Sequence, residues 1–473
     1  LSSVLNIPGI TEDERDLLGQ CLKQLEDSKA INATRRRYFE AKQYVQHLGI
    51  AIPPQLQNFE TALGWPYKAV KALASRVKFD GFAVPGAEGS AFGIDRLWAE
   101  NKLGIESHHA HMSALTYGVS FVAVLAGGDG EPEVVIRALS PLTTTALWDA
   151  NRRRTYAAVT VTESDAGNIT ELIFFLEDKV VTAKFDGSRW KSETVEHTLG
   201  RCPVVMISYD SSPEYPFGRS RISQGVMRIT DEAIRTSLRM EVSAEFYSSP
   251  QRYILGADES AFVGPDGRPV DAWSAITGRV LVLGNDAEND EKPTVGQFSQ
   301  MTMQPHVDMF RMIAAKFSGE TSLPTHTLGL IGDNPDSEEA IKAKYLELAA
   351  DAESAHEPFG AAWVDAIRMA VQIRDGAVPE ELDLLSTKWR NPMYESKSAQ
   401  GDMIMKMIQV GVLPPESEVA LELLGFDQLT IDRVVADRRK GGVSTLVDRI
   451  LNNQQPPSNV VDAQQAGSNN QGA

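Results

Sequence analysis

The chain is 473 residues long, 42% hydrophobic and 23% charged, enough for roughly two to four soluble domains with sizeable cores. Its 64 acidic and 46 basic residues leave a net charge of −18, which argues against a sequence-specific DNA binder or a typical nuclease, since both present a basic face to phosphate. No apolar run approaches the ~18 residues of a membrane helix, and residues 1–16 lack the basic-then-apolar order of a signal peptide. Two cysteines, Cys21 and Cys202, are too few for a disulfide framework or a cysteine-rich zinc site; their apolar neighbours predict buried thiols in a reducing cytosol.

The first predicted element is a helix over residues 11–47, with Thr11 as cap, Glu14 three positions on, and Leu17, Leu18, Cys21, Leu22 and Leu25 at helical spacing. A second amphipathic run covers 65–77, strand and loop 80–89, and a further helix 94–117. The period then changes to two. Short β-branched or aromatic runs at 119–125, 134–139, 156–162, 172–176, 180–185 and 204–207 predict a mostly antiparallel sheet, with turns at Gly127-Gly128-Asp129-Gly130 and Asp186-Gly187.

After Gly218 the helical period returns. Ile222, Val226, Ile229, Ala233, Leu238, Val242 and Phe246 form one stripe, ended by Pro250. A strand-and-loop insert follows at 252–298, then a helix at 304–319 with Val307, Phe310, Ile313, Ala314 and Phe317 on one face. Residues 321–337 read as a polar loop. Behind it the longest helical pattern runs to about residue 374, with Asp336 as expected cap, Glu339 three residues on, and a kink expected at Pro358 and Gly360. Three short helices are expected over 395–440, and the Asn/Gln/Ser-rich end, 452–473, has too little to bury to be ordered.

Several segments carry a family resemblance. Arg37-Tyr38-Phe39-Glu40-Ala41-Lys42, His47-Leu48-Gly49-Ile50 and the stretch 58–70 around Trp65-Pro66 resemble the opening of portal proteins from siphophages of actinobacteria. Residues 115–122, 215–222 with Phe217-Gly218-Arg219-Ser220, and Pro250-Gln251-Arg252-Tyr253-Ile254-Leu255-Gly256 are similar in the same way. So are Thr321-Ser322-Leu323-Pro324, Leu328-Gly329 and Asp333-Asn334-Pro335 ahead of Ser337-Glu338-Glu339-Ala340-Ile341. The resemblance covers about residues 35–440; Gly64, where a polar side chain is expected, departs from it.

The resemblance implies an α+β portal-type subunit. Residues 1–216 would be the wing, 217–249 a stem helix, 250–301 the clip, 302–320 the second stem helix and 321–337 the tunnel loop. Residues 338–392 would add the long wing helix and a return strand, 393–451 a helical crown, and 452–473 a disordered tail. It implies a homo-oligomeric ring, typically of twelve copies, at one capsid vertex, past which double-stranded DNA moves non-specifically during packaging and ejection. The implied partners are the terminase large subunit, the head–tail adaptor, and the major capsid and scaffolding proteins. The setting is the virion, assembled in the host cytoplasm, with no membrane and no cofactor.

Within that scheme the tunnel loop and its flanks offer Thr325, His326, Thr327, Asp333, Asn334, Lys316, Lys342 and Lys344 to DNA. Arg228, Asp231, Glu232, Arg235, Arg239 and Glu241 on the stem helix would face neighbouring subunits, and Asp286, Glu288, Asp290 and Glu291 in the clip would face terminase or adaptor. The plainer alternative for each is a solvated surface residue.

Three apparent enzyme signals are weaker. His108, His109 and His111 resemble a metal cluster, but the surrounding helix adds only Glu106. The Gly127–Gly130 turn lacks the Gly-Lys-Ser/Thr ending of a phosphate loop. Asp333, Asp336, Glu338 and Glu339 suit a helix first turn. The alternatives carried forward are a metal-dependent nucleic-acid-processing enzyme and another capsid-vertex adaptor; the sequence favours a protein that is not an enzyme.

Overall fold

A computed structural model describes residues 7–43, 61–85, 92–165, 167–248, 252–255, 294–297, 302–330, 337–393, 397–414, 417–426, 430–431 and 433–438. Two compact units are present, Leu1–Met393 and Tyr394–Ala473.

Helix α1 spans Glu12–Phe39 and starts in the expected capping box: the Thr11 hydroxyl accepts from the Glu14 amide at 3.3 Å, and the Glu14 carboxylate accepts from the Thr11 amide at 2.7 Å. It ends at Phe39, short of the expected 47; Ala41 turns left-handed at φ 53°, and residues 44–47 lie outside the described residues. Helix α2 (Trp65–Ala74) and strand β1 (Phe79–Ala83) follow. The single helix expected over 94–117 is two, α3 (Ile94–Glu100) and α4 (Leu103–Tyr117). The break is fixed by a contact with the sheet. Lys102 is left-handed at φ 51°, and the Asn101 side chain bonds the Val134 carbonyl and the Ile136 amide at 2.9 and 2.7 Å.

Eight antiparallel strands follow. In the first sheet, β2 (Val119–Ala126) lies between β3 (Val134–Leu139) and β9 (Val204–Ser208). The second is a meander of β4 (Thr144–Asp149), β5 (Arg154–Asp165), β6 (Asn168–Phe175), β7 (Lys179–Phe185) and β8 (Trp190–Glu196). β4 and β8 were not legible as strands. β8 is a polar edge strand whose ladder with β7, from Lys179↔Glu196 to Phe185↔Trp190, supplies what its composition does not.

The strand period of two sorts side chains into layers. Val122, Val124, Val205 and Ile207 face a helical core made with α2, α4 and the later helices. Phe121, Ala123, Val204 and Met206, on the opposite face, meet Ala146, Ala158 and Phe175 of the second sheet. The far face of that sheet, with Ala157, Val159, Leu172 and Phe174, is covered by Leu18, Cys21 and Leu22 of α1. Both cysteines are buried as expected, and burial raises both thiol pKa values, that of Cys202 to about 12.

Helix α5 (Gln224–Ser248) leads into a two-stranded ribbon, β10 (Arg252–Leu255) with β11 (Thr294–Gln297), and then α6 (Gln304–Thr321). A 3-10 turn, Thr325–Leu328, precedes α7 (Glu338–Lys344) and α8 (Leu346–Asp375). Two expectations are corrected here. The cap of α7 is Ser337, whose hydroxyl accepts from the Ala340 amide at 3.2 Å; the spacing rule placed it one residue early, at Asp336. The long helical pattern, expected to run unbroken to about residue 374, is interrupted at Tyr345; α8 continues through Pro358. The carbonyl that Pro358 leaves without an amide is that of Ser354, an exposed residue that water reaches. Strand β12 (Ser386–Trp389) returns to pair with β1. The second unit contains α9 (Lys397–Gln409) and α10 (Glu418–Leu423), with residues 433–438 also helical.

Candidate functional site

The α5–α6 hairpin and the segment after it hold most of the residues singled out from the sequence. The two helices pack against each other and run antiparallel. At their base the Ser223 hydroxyl donates to Glu320 at 2.8 Å; at their far ends the β10–β11 ribbon pairs Arg252 with Gln297. On α6, Ile313, Ala314 and Phe317 are buried and Trp65 of α2 packs on Phe310 and Phe317 with ring centroids 5.4 and 5.1 Å apart.

Arg221 fixes the base of the hairpin. Its side chain is only 6% exposed, and its guanidinium joins four separate segments. It donates to the Ala69 carbonyl at 3.0 Å, the Tyr209 hydroxyl at 3.3 Å, the Asp351 carboxylate at 3.1 Å and the Thr321 carbonyl at 2.5 Å. A planar, always-charged donor fork suits one site with several acceptors. The chain reaches it through Gly218, at φ 69°, where a Cβ would sit 2.1 Å from the Tyr209 carbonyl oxygen. The Phe217-Gly218-Arg219-Ser220 motif thus has a backbone reason for its glycine. Sequence reasoning missed Arg221, because three of its four acceptors lie a hundred or more residues away, where local spacing does not reach.

The charges singled out on α5 divide into two groups. Both carboxylate oxygens of Asp231 accept from the Tyr38 hydroxyl at 2.9 Å, tying α1 to α5. Burial raises the Asp231 pKa, and burial followed by the nearby carboxylate raises that of Tyr38. Glu232 pairs with Lys316 of α6 at 3.4 Å, and Glu241 accepts from the Thr61 hydroxyl at 3.2 Å. These acidic groups therefore have partners within their own chain. Arg228, Arg235 and Arg239 make no ion pair or hydrogen bond with the described residues, although Arg235 lies within electrostatic reach of Asp231.

The segment after α6 was expected to be polar and unpacked. Its first part is packed. Leu328 is buried, and Thr325, His326 and Thr327 are half-buried in the 3-10 turn. The Lys68 ammonium donates to the Thr327 carbonyl, and His326 Nε2 lies 3.2 Å from the Tyr345 hydroxyl. Tyr345 in turn lies under the Arg76 guanidinium, 4.4 Å from the ring centroid, at the point where α7 gives way to α8. Leucine and proline in the turn supply an apolar contact that a count of polar side chains overlooks. Lys342 and Lys344 stand in the last turn of α7. Asp333, Asn334, Asp286, Glu288, Asp290, Glu291 and the 452–473 tail lie outside the described residues.

The histidine cluster resolves into unrelated roles. His111 is buried; its Nε2 accepts from the Trp363 indole N–H at 2.9 Å, and its ring stacks on Phe359 at 4.7 Å. Burial drives its pKa down to about 3, so the ring is neutral, with its proton on Nδ1. His109 is exposed, and Glu106 accepts from the Ala138 amide at 2.9 Å. Among the described residues no group of three His, Cys, Asp or Glu side chains is placed to hold a metal, and no helix is long and apolar enough to cross a membrane.

Comparison with known proteins identifies the scaffold. Residues 18–425 match the family described as phage portal protein, SPP1 Gp6-like. The portal protein of Mycobacterium phage L5 is 27% identical over 424 residues, covering 87% of this chain and 86% of the relative. That of Mycobacterium phage D29 is 28% identical over 429 residues, covering 86% and 84%. Among solved structures, a chain from the neck of an empty gene transfer agent particle computed with C6 symmetry is 14% identical, with a TM-score of 0.49 over 83% of this chain and 93% of that one. A hairpin rooted in a layered α+β body is thus accompanied by a family match over most of the sequence, and the chain belongs to the SPP1 Gp6-like family of phage portal proteins, structural components of the portal vertex.

Proposed function

We propose that copies of this chain close into a ring, of twelve subunits as the resemblance implies, at one vertex of a phage capsid in the virion, after assembly in the host cytoplasm. The ring is the conduit through which double-stranded DNA enters and leaves. The α5–α6 hairpin forms its stem. The segment carrying Thr325, His326, Thr327, Asp333 and Asn334, flanked by Lys316, Lys342 and Lys344, approaches the DNA. Residues 250–301, including Asp286, Glu288, Asp290 and Glu291, receive the terminase large subunit and then the head–tail adaptor, while the wing meets capsid and scaffolding proteins.

The observation that carries this reading is the unequal treatment of the hairpin's two sides. Its base is locked into the body by Arg221, and the Ser223–Glu320 bond closes the two helices on each other there. Along its length Arg228, Met312 and Ala315 remain exposed, surface that a neighbouring subunit would cover. The net charge of −18 suits a wall past which DNA slides, because tight phosphate binding would act as a brake. The decisive experiment is negative-stain electron microscopy of the purified chain. Rings with a central hole are expected; compact monomers at high protein concentration would overturn the proposal.

A further inference from the structure

The three arginines of α5, which make no ion pair or hydrogen bond with the described residues, occupy one stripe. Positions 228, 235 and 239 are separated by seven and four residues, so at ~100° per residue their side chains project within about 40° of one another. Their Cα atoms span about 16 Å of helix at 1.5 Å per residue. Glu232 and Asp231 border the stripe; Lys316 neutralises the first and Asp231 offsets part of the charge of Arg235, so this face of the hairpin keeps a net positive charge in a chain that is acidic overall.

The first two-thirds of α8 is its opposite. Residues 346–367 contain Glu347, Asp351, Glu353, Glu357 and Asp365 and no lysine or arginine. Asp351 pairs with Arg221 and Asp365 with Arg201, both at 3.1 Å. Glu347, Glu353 and Glu357 are exposed and have no counter-charge among the described residues. They spread over about 120° of the helix surface and flank Ala350, Ser354 and Ala361, whose small side chains let a second helix approach closely. Glu347 and Glu357 are about 15 Å apart along the axis, close to the length of the arginine stripe.

A chain bearing two unsatisfied stripes of opposite charge and matching length is suited to heterologous, head-to-tail association, in which each copy offers a different face to each neighbour. Resting on the ring reading above, we infer that the Arg228–Arg235–Arg239 stripe of one subunit docks on the Glu347–Glu353–Glu357 stripe of the next copy. The contact joins the hairpin of one subunit to the long helix of its neighbour, and repetition of that contact closes the ring.

Charge reversal tests this in the full chain. One variant carries Arg228→Glu, Arg235→Glu and Arg239→Glu; a second carries Glu347→Arg, Glu353→Arg and Glu357→Arg; a third combines all six. Assembly is followed by sedimentation velocity and electron microscopy over a concentration series, with circular dichroism reporting the fold. Each triple variant is expected to need at least ~10-fold more protein to form rings, and the combined variant to return to within about threefold of the parent. Single reversals, Arg235→Glu and Glu353→Arg, separately and together, replace any triple variant that fails to fold. If the parent forms rings and the reversals assemble like it, the stripe contact is wrong and the portal reading stands. If the reversals disperse but the combined variant does not recover, the two stripes do not face each other. A parent chain that stays monomeric throughout would overturn both readings together.

Discussion

At the scale of single residues, His111 shows how the core depends on protonation. The imidazole accepts from Trp363, stacks on Phe359 and has its pKa driven by burial from near 6.5 down to about 3. His356, stacked on Trp389 with ring centroids 4.5 Å apart, is driven by burial to about 4. In the unfolded chain both rings take up a proton near pH 6.5, so the unfolded state binds more protons between that pH and the folded-state values. The stability conferred by the neutral rings is complete above about pH 6.5 and drains away as pH falls towards 4 and then 3. Urea midpoints are therefore expected to fall steadily from pH 7 to pH 4.5. A His111→Gln variant, which keeps an acceptor for Trp363 but cannot titrate, should show a shallower slope, by up to one proton or about 1.4 kcal/mol per pH unit. Identical slopes would remove His111 as a source of the acid sensitivity.

At the scale of elements, Arg221 joins the start of α5 to the end of α6, to α2 and to α8. Replacing it with Met fills a similar volume but leaves the carbonyls of Ala69 and Thr321 without their donor and Asp351 without its counter-charge. Removing a buried, charged donor from its acceptors costs about 1.5–3 kcal/mol, since water reaches the Asp351 carboxylate, which is 34% exposed. The Arg221→Met chain is expected to lose that much stability in urea denaturation. Hydrogen exchange should accelerate first in the last turn of α6 and the adjoining 3-10 turn. A loss below about 1 kcal/mol would show that the hairpin base is held mainly by the apolar contacts of Trp65, Phe310 and Phe317.

At the scale of the whole molecule, the chain divides into Leu1–Met393 and Tyr394–Ala473. The first unit has its own layered core, from α1 through both sheets to α8 and the β1–β12 pair. A chain ending at Met393 is accordingly expected to melt cooperatively, within about 3 °C of the matching transition in the full chain when both are in the same oligomeric state. Differential scanning calorimetry checks this. A fall of more than about 10 °C would show that the second unit is needed to hold the first.

The sequence alone determined the class of nearly every long element, the capping box of α1, the buried cysteines, the hairpin of two helices and the family, because helical and strand periodicity and local cap chemistry are written in neighbouring residues. Tertiary structure decided what those signals could not reach. The polar strand β8 exists through its ladder, α3 and α4 part where Asn101 bonds β3, and α7 parts from α8 at the Tyr345 held by Arg76 and His326. The same limit applies to the charges of α5. Periodicity placed all six on one helix, but only the positions of Tyr38, Lys316 and Thr61 separated the carboxylates with partners at home from the arginines with none among the described residues. Those partners lie tens to hundreds of residues away in the chain, and a contact across that separation leaves no trace in local spacing.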